Sequence, residues 1–102
     1  MSEAKILSET TLAAISPNTM MYRGYLSGDL NDVKQTGMYL CYNTILTNAP
    51  LSHPFYFVLV FNISGRIVQQ VISSTGEYIY MRTFWDNAWF AWRYVRFQTF
   101  GN

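Results

Sequence analysis

Trp85, Trp89 and Trp92 fall within eight residues of one another, with Asp86, Asn87 and Arg93 placed among them. Flat indole faces beside carboxylate, amide and guanidinium groups suit recognition of a sugar through its apolar face and its hydroxyls. Hydrolysis of that sugar would need two carboxylates across a groove, and Asp86 has no obvious partner. Asp29, Asp32 and Glu77 lie on other turns, and turn capping accounts for Asp29 and Asp32. His53, the single histidine, sits before Pro54 in a loop, the ordinary place for a surface residue. Cys41, the single cysteine, lies in the apolar stretch Met38-Tyr39-Leu40-Cys41-Tyr42 and reads as a small core residue. One cysteine allows neither an intrachain disulfide nor a multi-cysteine metal site. No serine or cysteine occupies a nucleophile elbow, and no glycine-rich loop precedes a helix. The residue types predict no enzyme, no cofactor and no metal.

The elements that must position these groups read as β. Residues 1–19 carry hydroxyls, small residues and a few aliphatics without a helical stripe, and Ser16-Pro17-Asn18 breaks any regular element. They read as an extended N-terminal arm or attachment segment, followed by a β domain over residues 20–102. Ser27-Gly28-Asp29 is a turn signal, and Asp29-Leu30-Asn31-Asp32 reads as an Asx turn or a single helical turn. Met38 to Leu46 predicts a strand, and the prolines at 50 and 54 mark the next stretch as loop. Phe55 to Phe61 is apolar at both parities, so both of its faces should be covered, either by the domain core or by a neighbouring subunit. Arg66 to Ile72 and Tyr78 to Thr83 come next as partner strands, and Trp85-Asp86-Asn87-Ala88 forms the tip of the last hairpin. The final strand is expected from Trp89 to about Phe100. Strict alternation along it puts Trp89 and Trp92 on opposite faces. That favours core or subunit-interface roles for Trp89 and Trp92, and Phe57, Leu59, Tyr80, Arg82 and Arg93 are the further candidates for core or subunit interface. It leaves Trp85, Asp86 and Asn87 as the candidate ligand contacts. The spacing of strands and turns predicts a mainly β fold, a small antiparallel sandwich or barrel-like knob.

Composition adds a constraint on surfaces. Charged residues are 13% of the 102, about half the usual share of roughly 25%, while half the chain is hydrophobic and 18% is aromatic. So small a domain has a high ratio of surface to volume, and with so few charges part of its apolar surface must be buried against another chain. A homo-oligomer or a subunit of an assembly is expected. The net charge of +1, with only Lys5 and Lys34 as lysines, excludes a phosphate-tracking basic stripe, so no nucleic-acid partner is expected. The start shows no basic region followed by a long apolar stretch, and the run Phe55 to Phe61 is too short to span a bilayer as a helix. The chain reads as soluble, made in a cytoplasm, without membrane insertion.

Asp29-Leu30-Asn31, Gly37-Met38-Tyr39, Pro50, Gln69-Gln70, Tyr80-Met81-Arg82 and Trp89-Phe90-Ala91-Trp92-Arg93, in that order, resemble the pyocin-knob module. That module occurs in tail fibres of bacteriophages and of phage-derived bacteriocins. The resemblance runs from about Tyr22 to Val95 and implies a compact β knob in a homotrimeric virion fibre, structural or receptor-facing, with no cofactor and no catalysis. It implies a virion location and synthesis in the host cytoplasm. Phe90 and Ala91 depart from the small polar residues usual between the paired tryptophans, which suggests an added packing surface. A short knob needs an anchor, so residues 1–19 are the expected attachment to other fibre or capsid proteins. A head fibre or capsid decoration protein with a purely structural role is the alternative inside a virion; a soluble lectin-like module is the alternative outside one.

Overall fold

The computed structural model describes residues 18–101. The arm expected over residues 1–19 therefore lies, apart from Asn18 and Thr19, outside the described residues. The domain after it is mainly β, as the alternation predicts. Strands β1 (Tyr22–Tyr25), β2 (Gly37–Tyr42), β3 (Phe55–Ile63), β4 (Arg66–Ser73), β5 (Tyr78–Trp85), β6 (Ala88–Trp89) and β7 (Arg93–Arg96) form one seven-stranded sheet. Its order is β1-β2-β3-β4-β5, with β6 and β7 both along the free edge of β5.

Turn chemistry closes the hairpins. Ser64 and Gly65 both have positive φ (54° and 84°) between the paired residues Ile63 and Arg66. Asp86 and Asn87 do the same (52° and 63°) between Trp85 and Ala88. Two consecutive positive φ values give the two-residue turn whose twist matches that of the strands, and Gly, Asn and Asp tolerate it best. β1 departs from the expected antiparallel pattern. It pairs with β2 in parallel, so residues 26–36 must cross over the sheet to bring the chain back.

That crossover decides which face becomes the core. Asp29 caps the short 3-10 helix Leu30–Asp32 by accepting from the Asn31 N–H at 2.8 Å. The same segment bonds the loop after β2, through Leu30 N–H to Thr47 O (3.0 Å) and Thr47 N–H to Gly28 O (2.9 Å). The two segments press Leu30 and Leu46 onto the inner face of the sheet, against Cys41, Tyr56, Val58, Val60, Ile67 and Val71. The layer opposite this sheet is thus built from connections, not from further strands. Each fully covered aliphatic side chain contributes about 1.5–3 kcal/mol.

No such layer lies over the outer face among the described residues. Phe57 stands there between Leu40 and Ile72, and Leu59 between Met38 and Gln70. Phe57 remains 51% exposed and Phe61, Met38 and Met81 about 40% each. Alternate residues of β3 are therefore buried and bare, where the apolar sequence of that strand predicts cover on both sides.

At the sheet edge, Arg23 lies across Gly37. Its Nε donates to Thr36 O at 2.6 Å and its Nη2 to Thr19 O at 3.0 Å. A Cβ on Gly37 would meet Arg23 Nε at 2.7 Å and Cδ at 2.8 Å. Gly37→Ala should lift this side chain from both acceptors and cost about 1–3 kcal/mol, read as a lower urea midpoint at unchanged slope.

Candidate functional site

The site is built around Arg82. Gln69 and Arg82 face each other across β4 and β5 on the inner side of the sheet. Gln69 is completely buried and Arg82 is 6% exposed. Arg82 Nε donates to Gln69 Oε1 at 2.9 Å, while Gln69 Nε2 donates to Leu30 O (2.7 Å) and Val33 O (2.8 Å). One amide therefore ties the crossover to the sheet and holds the cation. Burial pulls the Arg82 guanidinium down to about 10, with a smaller opposing pull from Asp29, so it is charged at neutral pH.

Two indoles lie against that charge. The guanidinium carbon is 4.0 Å from the centroid of Trp89 and 4.5 Å from that of Trp92. This corrects the expectation of a continuous last strand with Trp89 and Trp92 on opposite faces. Phe84 pairs with Trp89 and Met81 with Arg93, so Phe90, Ala91 and Trp92 span the distance of Arg82 and Thr83. Three residues against two make a bulge, and one extra residue reverses the facing of every residue after it. Phe90 N–H still reaches Thr83 O at 2.9 Å, and the Trp92 indole N–H donates to Asn48 O at 3.0 Å. The bulge turns both tryptophans onto Arg82.

Asn48 also binds both oxygens of Asp29, at 2.9 and 3.0 Å. These bonds, with the Asn31 N–H, hold the Asp29 carboxyl below its ordinary value of 3.8. A lowered carboxylate pKa stabilises the folded chain at pH above 3.8, and that contribution is lost as pH falls through the lowered value. The acid side of a urea midpoint–pH profile should accordingly flatten in Asp29→Asn.

The other expected contacts lie elsewhere. Trp85, 47% exposed, stacks on Arg66 with 3.9 Å between guanidinium carbon and ring centroid, and both point from the outer face. Asp86 and Asn87 are the two turn residues, whose types the positive φ explains. Tyr80 packs with Tyr78 and Tyr94 on the inner face, while Arg93 lies on the outer face of the edge strand β7. Phe57 and Leu59 belong to the bare outer face.

Sequence reasoning placed neither Gln69 nor Asn48 in the site, and it missed Asn31. Asn31 lines, with Asn48, Arg82, Trp89, Phe90 and Trp92, a depression of about 540 Å³. The available signal is the Asp-Leu-Asn run, which by itself indicates only a turn. Burial pushes the Cys41 thiol up, away from the reactive thiolate. Among the described residues no group of three His, Cys, Asp or Glu could hold a metal, and no helix is long and apolar enough to cross a membrane. No family model, no curated protein and no solved structure matches the chain.

Proposed function

We propose that this chain is a non-enzymatic fibre knob of a bacteriophage virion that assembles with copies of itself and contacts host-surface glycans. The observation that carries the assembly is the bare outer face of the sheet. Between Arg66 at the β3–β4 turn and Arg93 on the edge strand, that face bears no charged side chain on β2, β3, β4 or β5. A surface that apolar needs a partner equally poor in charge, and a second copy of the chain offers one. Three copies turned inward would bury the face on one another, in keeping with the trimer that the pyocin-knob resemblance implies. The fibre assignment is further supported by the way the quoted motif residues meet in one network. Asp29 caps the turn that buries Leu30, Gln69 binds the Leu30 carbonyl and Arg82, and Trp89 and Trp92 close on Arg82. Attachment to other virion proteins through residues 1–19 belongs to the same proposal.

Light scattering after size exclusion tests the assembly on the full chain. The expected mass is three times 11.8 kDa. A mass of 11.8 kDa that persists on concentration would refute self-association through the outer face.

A further inference from the structure

Arg82 is held at one edge only. Its Nε is taken by Gln69 and two indoles lie against the guanidinium, but among the described residues its Nη groups donate to nothing, and Nη2 is shut off from solvent. Asn31 Oδ1, an acceptor, is likewise covered and without a partner. A buried unpaired polar atom is costly, more so on a charged group, and here two of opposite hydrogen-bonding sense belong to residues lining one depression.

The charge of the site is uncompensated at contact range. Asp29 is the carboxylate that acts on Arg82, yet among the described residues no ion pair joins the two; its oxygens meet the Asn48 amide and the Asn31 N–H instead. A ligand satisfying the site must bring an acceptor for a guanidinium edge and a donor for an amide oxygen. A carboxylate supplies the first, in the charge-assisted geometry arginine favours. A hydroxyl supplies the second. The rings of Trp89, Phe90 and Trp92 on the lining add an apolar wall suited to the C–H face of a pyranose.

From this we infer that the depression over Arg82 and Asn31 is a binding site for an acidic sugar, a hexuronate unit whose carboxylate meets Arg82 and whose hydroxyl meets Asn31. The inference rests on the glycan-contact part of the proposed function and narrows it, placing the contact at the bulge and not at the Trp85-Asp86-Asn87 turn. Nη2 and Asn31 Oδ1 are both covered, so entry requires the wall of the depression to open enough to expose them.

The test is a titration of the full chain with glucuronate, glucose and acetate in parallel, followed by the indole N–H signals of Trp89 and Trp92. Glucuronate should move both signals saturably, with glucose and acetate at least about tenfold weaker. Asn31→Ala removes an amide oxygen that bonds nothing, so its unfolding midpoint should hold while glucuronate affinity falls about tenfold. Trp85→Ala should bind as the natural chain does. Equal shifts with acetate would mean a plain anion site, and equal shifts with glucose would mean stacking alone; either overturns the inference. No shift at millimolar glucuronate overturns it too, as would loss of binding in Trp85→Ala. Saturable binding of the chain to immobilised neutral glycans, with no response to glucuronate, would leave glycan contact standing and remove only the acidic class.

Discussion

Gln69→Leu is expected to lower the stability of the chain by about 3–5 kcal/mol, the largest loss from any single polar side chain. The change conserves volume and apolar packing, so the loss reports hydrogen bonding. Three bonds go at once, two to the crossover and one from the buried Arg82. Val33 O is left without its side-chain partner, Leu30 O keeps only the Val33 N–H, and the guanidinium retains aromatic contacts alone. A domain of this size has about 5–15 kcal/mol in total, so urea unfolding should show a midpoint reduced by a large fraction. Adding Arg82→Met should recover part of the loss, because removing both members of a buried polar pair costs less than orphaning one. A coupling of at least about 1 kcal/mol between the two positions is expected from the double-mutant cycle. Independent, additive effects would show that Gln69 does not act through Arg82.

Phe57→Asp is expected to convert the proposed assembly to single chains while leaving the β-sheet circular dichroism intact. In the isolated chain the ring is half exposed, so its loss costs only about 1 kcal/mol of burial. Inside an assembly sealed by outer faces, every copy would place an unpaired carboxylate in an apolar interface, at a cost of several kcal/mol. Each 1.4 kcal/mol is tenfold in affinity, so dissociation should strengthen by about a hundredfold or more. Tyr94→Asp is the matched control. Tyr94 is 66% exposed but pairs with Tyr80 on the inner side of the sheet, and the mass of that variant should not change. An unchanged mass for Phe57→Asp would move the assembly surface elsewhere.

The candidate site is legible in the sequence only in fragments. Arg82, Trp89 and Trp92 are recognisable as packed residues, because large rings, and an arginine set among the apolar and aromatic residues of one strand, have few other uses. Their mutual contact is not, since it depends on the single extra residue between Trp89 and Arg93. A bulge has no composition of its own in Phe90-Ala91-Trp92. The expectation at Trp85-Asp86-Asn87 rests on residue types, and the same types are what a two-residue turn with positive φ selects. Asn31 is a further case. Its backbone N–H serves the Asp29 cap, which the sequence predicts, whereas its side-chain oxygen acquires significance only from the partnerless Nη2 of Arg82 on the same depression.

By itself the sequence determined the mainly β class, the hairpin turn at Asp86-Asn87, the short turn at Asp29 to Asp32 and the buried place of Cys41. Each of these is a local consequence of alternation, of backbone preference or of a side chain reaching its own neighbours. Only the tertiary structure decided that β1 would pair in parallel and that the crossover would roof one face and leave the other bare. It alone set Gln69 beneath that roof and turned two tryptophans onto one charge. These outcomes depend on which strand lies beside which, and in what register. Within a hairpin the turn and the apolar pattern set the register, but the parallel β1–β2 pairing and the contacts of the crossover join residues far apart in the chain, which no local pattern encodes.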